Sequence, residues 1–176
     1  MTKVAIITGV PNDYSRVNGV LDYVSEFLED NHVSHEIIKV HTLPPADLIT
    51  ANFNSPAIKK SNQIVEGATG VIVLTPVYKA SYSGILKTYL DLLPQKGFEN
   101  KLVLPLVVGG SIGHLLTIEY AINPVLTALG ASHILNGVYT VDKQVERVGE
   151  ENRFIIQEGA KERLQKGIDS FVKLVN

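Results

Sequence analysis

Apolar and polar residues alternate along this chain in two patterns. Between residues 18 and 29 the apolar side chains recur every three or four positions, which predicts an amphipathic helix. Its apolar face consists of Val20, Leu21, Val24, Phe27 and Leu28. Short continuous apolar runs between such segments are typical of buried strands. The patterns predict strands over residues 4–8, 36–40, 71–74, 102–108 and 134–141, and helices over residues 18–29, 55–66, 83–92, 114–129 and 153–175.

Local signals mark several of these boundaries. Ser55 followed by Pro56 is typical of a helix start, with serine as N-cap and proline at the first helical position. Pro76 is expected to stop the third strand, and Gly130 to close the fourth helix. Five alternations of strand and helix favour an α/β fold with a doubly wound parallel sheet and helices on both faces. We expect the flavodoxin-like order 2-1-3-4-5 of five strands, in one domain over residues 1–176.

The composition narrows the functional classes. The 176 residues are 45% hydrophobic, and the formal net charge of -2 gives little electrostatic drive toward nucleic acid or membrane. The absence of cysteine excludes disulfides, thiolate metal sites and cysteine nucleophiles. The first apolar run is too short for a signal peptide or a membrane span. We therefore expect a soluble cytoplasmic protein that binds neither nucleic acid nor membrane.

Three unusual loops follow the first, third and fourth predicted strands, at the sheet edge where open α/β sheets bind ligands. The first loop precedes a helix N-terminus, which suits a phosphate group. Neither a GxGxxG nor a Walker motif occurs there, so an ordinary strand–helix loop is an equal alternative. The candidate binding residues of this loop are Pro11, Ser15, Arg16 and Asn18.

The second and third loops favour a flat, partly polar aromatic ligand. The aromatic side chains of the second loop could stack on a ring or simply plug the sheet edge. Three glycines in five positions of the third loop suggest backbone close to a ligand, although a flexible connection is the alternative. His114 could donate a proton or only cap the next helix. The candidates are Pro76, Val77, Tyr78, Lys79, Tyr82 and Ser83 in the second loop and Gly109, Gly110, Ser111 and His114 in the third.

Acid–base machinery is missing from these motifs. No GxSxG elbow follows a strand, and the remaining histidines lack metal-ligand spacing. Acidic residues fall on predicted helix surfaces or in residues 142–151, which we expect to be solvated. No catalytic side chain and no metal ligand is therefore predicted. Ligand loops without acid–base groups favour a cofactor that carries its own chemistry.

Residues 75–88 resemble the flavin-loop signature of the NADPH-dependent FMN reductase family, and above all the reductase component of two-component alkanesulfonate monooxygenase systems. The resemblance spans residues 4–141. The first loop departs from the family pattern, since Val10 and Asn12 stand where serine and arginine are usual. Further matching segments are Phe53 and residues 55–57, 91–94, 104–106, 109–110, 114–116, 120–121 and 124–126.

The resemblance implies an oxidoreductase that transfers hydride from NADPH to FMN. The FMN phosphate would lie near Ser15, Arg16 and Asn18, relying on Arg16 because Asn12 replaces the usual arginine. The isoalloxazine would rest on residues 76–79, with residues 109–111 closing the other side. Reduced FMN would leave or pass to a monooxygenase partner. The alternatives are a reductase of quinones, azo dyes or metal oxyanions that retains FMN, and a flavin electron carrier that is not an enzyme.

Pro124 lies inside the predicted helix over residues 114–129. Its missing N–H leaves the carbonyl of Tyr120 without a regular helical partner. A one-residue π-bulge at Tyr120 and a simple proline kink are equally compatible with this geometry. The family resemblance favours the π-helix and implies that Tyr120 lies near the interface of a homo-oligomer, a tetramer or a dimer.

Overall fold

The computed structural model describes residues 3–149 and 152–175. Strands and helices alternate as expected, with short extra elements between them. The strands are β1 Lys3–Thr8, β2 Ser34–Lys39, β3 Gly70–Tyr78, β4 Ser81–Tyr82, β5 Leu102–Gly109, β6 His133–Ile134, β7 Val138–Val141, β8 Val145–Val148 and β9 Arg153–Ile156. The helices are α1 Val17–Asp30, α2 Pro45–Ile49, α3 Pro56–Glu66, α4 Gly84–Leu90, the π-helix Ile118–Ile122, α5 Asn123–Ala128 and α6 Glu158–Val175.

The main sheet has the order β2-β1-β3-β5-β6, and all of these pairings are parallel. This is the predicted flavodoxin-like arrangement, with the labels shifted because the short β4 pairs antiparallel with the end of β3. Two apolar clusters cover the two faces of the sheet. One includes Val24 of α1 and Ile168 of α6, and the other includes Ile58 of α3 and Leu86 of α4.

Pro76 does not end β3, contrary to the prediction. The carbonyl of Leu74 accepts a hydrogen bond from the N–H of Gly9, so residue 74 faces the β1 side of the strand. Residue 76 lies two positions further and faces the same side, beyond the last paired residue of β1, Thr8. The missing N–H therefore breaks no ladder bond, and β3 continues to Tyr78 beside β5.

The fifth predicted strand is not continuous but split into β6 and β7. The carbonyl of Val103 accepts a hydrogen bond from Leu135, so Val103 and Pro105 both face this strand. Pro105 has no N–H to donate, and pairing stops after Val103 and resumes at Leu106. Unlike Pro76, Pro105 therefore interrupts the pairing of its strand with the neighbouring segment, which the sequence pattern predicted as one continuous strand.

The prediction of one helix over residues 153–175 is wrong at its start. The segment begins with β9, which pairs antiparallel with β8, and α6 begins only at Glu158. Val145, in the segment predicted to be solvated, is fully buried. A Cβ at Gly19 of α1 would lie 2.7 Å from Val145 and 2.5 Å from Phe154, so the hairpin packs closely on α1. Residues 150 and 151 of that predicted segment lie outside the described residues.

The bounds of β2 differ from the prediction, whereas the start of α3 agrees with it. Strand β2 spans Ser34–Lys39, and Val40 instead begins a short 3₁₀ turn. Helix α3 begins at Pro56, with the Ser55 side chain accepting a hydrogen bond from the N–H of Ile58 as predicted. Among the described residues no helix combines the length and apolar character needed to span a membrane.

Candidate functional site

Two adjoining cavities open at the carboxyl ends of β1, β3 and β5, where the three unusual loops meet. One encloses about 170 Å³, and the other, more open, about 580 Å³. Val77 and Gly110 line both cavities, so the two cavities are neighbours, and together they are called the cleft below. The smaller cavity is lined by Ser15, Arg16, Val17, Pro76, Val77, Tyr78, Val108, Gly109, Gly110 and Asp142, and the larger by Val77, Lys79, Ala80, Gly110, Ser111 and His114.

The first loop is organised by its own side chains. Asn18 is buried, and its side-chain nitrogen donates to the carbonyls of Asn12 and Ser15, each at 3.0 Å. The hydroxyl of Ser15 accepts from the N–H of Val17 at 3.3 Å. Asn18 therefore fixes the backbone of the loop, whereas Ser15 lines the cleft and accepts a hydrogen bond from the first residue of α1. Pro11 is half-buried and lines neither cavity.

Arg16 is the cation at the α1 end of the cleft. Its guanidinium is half-exposed, 4.0 Å from Asp142 Oδ1 and 3.5 Å from the Asp142 carbonyl oxygen. The contact to the carboxylate is long, and neither partner is buried enough for a strong ion pair. A bound anion at this end of the cleft could therefore compete with Asp142 for the guanidinium.

The second loop is a tight turn between β3 and β4. Tyr78 is 48% exposed at its start, and Lys79 and Ala80 at its centre both have positive φ, 49° and 64°. Tyr82 packs instead against the apolar cluster under the sheet. Of the predicted residues in this loop, Pro76, Val77, Tyr78 and Lys79 line the cleft.

Ser83 is fully buried and joins the first loop to the second. Its hydroxyl donates to the carbonyl of Gly9 at 2.7 Å and accepts from the N–H of Leu86 at 3.1 Å. Its N–H donates to the hydroxyl of Thr75 at 3.0 Å. The structure therefore gives Ser83 the place of an N-cap for α4 that also fixes the end of β1.

The glycines of the third loop differ in what surrounds them. A Cβ on Gly109 would collide with the hydroxyl of Tyr139 and lie 3.0 Å from Val77, so packing within the protein requires glycine there. Around a Cβ on Gly110, no atom of the described residues comes within 4 Å. Gly110 thus presents bare backbone to the open cleft, as expected where a flat ligand approaches closely.

The rest of the third loop is held by Tyr139, a residue that the sequence analysis missed. Its hydroxyl donates to the carbonyl of Ser111 at 2.6 Å. Burial, and secondarily the charge of Asp142, raises the pKa of Tyr139, so the phenol remains a hydrogen-bond donor at neutral pH. The Ser111 hydroxyl accepts from the N–H of Gly113, and His114 ends a short 3₁₀ turn, exposed at the cleft.

Other residues that hold the cleft together were also missed. Asp142 lines it, although it lies in the segment expected to be solvated. Arg147 of β8 donates to the carbonyl of Tyr14, and its guanidinium lies 6.0 Å from the Tyr14 ring centroid and 5.8 Å from that of Phe154. Tyr139 lies near the end of a predicted strand, and this position is a signal from which its role at the cleft could have been predicted. No signal in the sequence indicates Arg147, because its partners are more than a hundred residues away or across a hairpin.

The predicted irregularity at Tyr120 is confirmed. The segment Ile118–Ile122 is a π-helix, and the regular helix α5 starts only after it, with Pro124 in its first turn. The Tyr120 side chain is 80% exposed. Ile118 and Ile122 are buried on the opposite side, so the π-helix is anchored while Tyr120 projects outward.

An FMN molecule suits the chemistry of this cleft. Pro76, Val77 and Val108 supply apolar wall, Gly110 leaves its backbone accessible, and Arg16 supplies the positive charge that a phosphate needs. The N–H groups of Asn18 and Gly19 already donate to the carbonyls of Ser15 and Arg16 within the loop. A phosphate at this end of the cleft would therefore depend on the Arg16 and Ser15 side chains more than on these two amides.

Comparison with known proteins agrees with this chemistry. Residues 2–146 match the family model of NADPH-dependent FMN reductases. An FMN reductase (NADPH) of Escherichia coli is 46% identical over 81% of this chain and 75% of its own length. An FMN reductase (NADPH) of Pseudomonas putida is 40% identical over 96% of this chain and 85% of its own length.

A solved structure of another FMN-reducing oxidoreductase has a similar fold. The crystal structure of an apo NADH:FMN oxidoreductase superposes with a TM-score of 0.88 at 29% sequence identity, covering 100% of this chain and 91% of that one. The family model extends over the three cleft loops and the π-helix and ends within β8. The chain belongs to the NADPH-dependent FMN reductase family.

Proposed function

We propose that this protein reduces FMN with NADPH and releases the reduced flavin to a flavin-dependent monooxygenase. Family membership carries the first part: the protein is an oxidoreductase, and FMN and NADPH are its flavin and nicotinamide nucleotides. The release to a monooxygenase, such as one acting on alkanesulfonates, is an inference from the sequence resemblance. We also propose a cytoplasmic location.

The single structural observation that supports the placement of the flavin is the bare backbone of Gly110 beside an apolar wall. We place the isoalloxazine against Pro76, Val77, Tyr78 and Lys79, with residues 109–111 on its other side. The phosphate would lie at Ser15 and Arg16. Bound there, FMN supplies the hydride-accepting ring.

The chain's own contribution is binding and orientation. Hydride transfer requires the nicotinamide about 3–3.5 Å from the flavin ring. The cleft holds no buried carboxylate or histidine among the described residues, since Asp142 and His114 are both accessible to solvent. We propose that rate enhancement comes from holding the two rings face to face rather than from a protein acid or base.

Steady-state NADPH oxidation with and without added flavin tests this function. We expect turnover that requires added FMN, with weaker activity on riboflavin, which lacks the phosphate. Protein purified without added flavin should be largely colourless. NADPH oxidation that proceeds with quinones or azo dyes on protein retaining FMN would favour the retaining reductase instead. Bound flavin without NADPH oxidation would indicate an electron carrier.

We further propose that the enzyme is a homo-oligomer, a tetramer or a dimer, with Tyr120 near the interface. Its support is the exposure of Tyr120 on an anchored π-helix close to the flavin cleft. Reduced FMN is the product of the proposed reaction and must leave the enzyme, so FMN is expected to bind exchangeably.

A further inference from the structure

The turn between β3 and β4 adopts a backbone conformation that is unfavourable for its two central residues. Lys79 and Ala80 have φ of 49° and 64°, in the left-handed region that favours glycine or asparagine. Tight two-residue hairpin turns with positive φ at both central positions usually contain Asn-Gly or Gly-Gly. This chain has Lys-Ala there. A strained turn persists only when surrounding structure enforces it.

Thr117 supplies one such constraint from a distant part of the chain. Its hydroxyl donates to the carbonyl of Ala80 at 3.2 Å, and the residue is 5% exposed. Thr117 immediately precedes the π-helix, and β4 packs against that helix. Ile118 and Ile122 belong to the apolar cluster against which Val77 and Tyr82 pack, so apolar packing accompanies this hydrogen bond.

The turn that Thr117 holds is also a wall of the cleft. Lys79 and Ala80 line the larger cavity together with Val77, Gly110 and His114. Thr117 itself does not line either cavity. Any effect of Thr117 on the ligand must therefore act through the shape of the turn.

We infer that Thr117 is a positioning residue that locks the Lys79–Ala80 turn into the shape that supports the flavin ring. This inference rests on the proposed placement of FMN. Without the hydroxyl, the turn relaxes toward negative φ and the ring loses part of its support. The phosphate end of the cleft, built by Ser15 and Arg16, does not change. The loss is therefore the same for FMN and for riboflavin.

The test compares Thr117→Val, which keeps the shape and removes the donor, with Thr117→Ser, which keeps the donor. Flavin affinity is measured by fluorescence quenching with FMN and riboflavin. We expect Thr117→Val to lower the affinity for both flavins about fivefold, the size of effect expected for one ordinary hydrogen bond. Thr117→Ser should stay within about twofold of the parent protein. Far-UV circular dichroism verifies that each variant is folded.

A rescue experiment separates positioning from a general role in the helix. Ala80→Gly removes the cost of positive φ, because glycine adopts that conformation freely. In this background Thr117→Val should change flavin affinity by less than about twofold. Undiminished binding of both flavins by Thr117→Val overturns the inference, as does a loss that Ala80→Gly does not reduce or a loss confined to FMN. Failure of the parent protein to bind FMN would instead reject the proposed function.

Discussion

At the scale of single residues, the two adjacent glycines of the third loop have different surroundings. Gly109 has no room for a side chain because the Tyr139 hydroxyl and Val77 occupy the space. Gly110 has room, yet its open space is the cleft itself. The sequence shows the two as equivalent members of a glycine-rich loop. Only the structure shows that Gly109 is enclosed by packing and that Gly110 faces the open cleft.

Alanine substitutions should distinguish these two roles. Gly110→Ala places a methyl group in the cleft and should weaken FMN binding about tenfold, with unfolding free energy within about 0.5 kcal/mol of the parent. Gly109→Ala forces Tyr139 to move and should destabilise the protein by about 1–3 kcal/mol. Chemical denaturation and FMN titration measure both quantities. Equal FMN affinity in Gly110→Ala and the parent would show that no ligand approaches this backbone.

Arg16 should act on the phosphate alone. A charge-assisted hydrogen bond contributes about 1.5–3 kcal/mol, so Arg16→Ala should weaken FMN binding by roughly one to two orders of magnitude. Riboflavin binding should change little, because riboflavin offers no phosphate. Arg16→Lys keeps the charge and serves as control. Parallel titrations with both flavins decide the point, and equal losses for the two ligands would place Arg16 away from the phosphate.

At the scale of elements, helices and strands were predicted correctly where the sequence signal is local, and incorrectly where it depends on a neighbouring strand. Helices α1 and α3 were predicted well because their apolar spacing and the Ser55 cap are local. The effect of a proline on a strand was predicted poorly, because it depends on which neighbouring strand the missing N–H would face. Pro76 is harmless beside the end of β1, whereas Pro105 splits its partner strand. The three cleft loops were located by topology, but their supports Tyr139, Thr117 and Arg147 depend on contacts distant in the sequence.

The β8–β9 hairpin illustrates such a distant support. It packs on α1, and Arg147 reaches the carbonyl of Tyr14 in the first loop. The same guanidinium lies over the rings of Tyr14 and Phe154, an arrangement suited to a planar cation. The hairpin therefore clamps the loop that carries Ser15 and Arg16.

Loss of this clamp should reduce phosphate recognition without abolishing the fold. We expect Arg147→Ala to weaken FMN binding about threefold to tenfold and riboflavin binding by less than twofold, since a hydrogen bond and an exposed cation–π contact are each modest. Glu146→Ala, next to it on β8 and also exposed, is the matched control and should bind both flavins as the parent does. A similar loss in the two variants would indicate general loosening of the hairpin.

At the scale of the whole molecule, exposed apolar side chains concentrate beside the cleft. Ile112, Leu115, Leu116 and Tyr120 are 62%, 46%, 58% and 80% exposed within nine residues of chain. Exposed apolar side chains grouped in this way are typical of sites of protein association. Because the same segment begins at the cleft with Ser111 and His114, an interface here would cover the approach to the flavin.

Tyr120→Ala should therefore change assembly and flavin exchange together. We expect sedimentation velocity to show the parent as a tetramer or dimer and the variant shifted to smaller species, because Tyr120 is the most exposed of these four side chains. Altered burial of the cleft should also change how much FMN remains bound after gel filtration, and turnover with it. Ile49→Ala removes an apolar side chain that is 76% exposed on α2, outside this surface, and should leave all three quantities unchanged. A monomeric parent protein, or a Tyr120→Ala variant with the parent's assembly, FMN retention and turnover, would contradict the proposed interface.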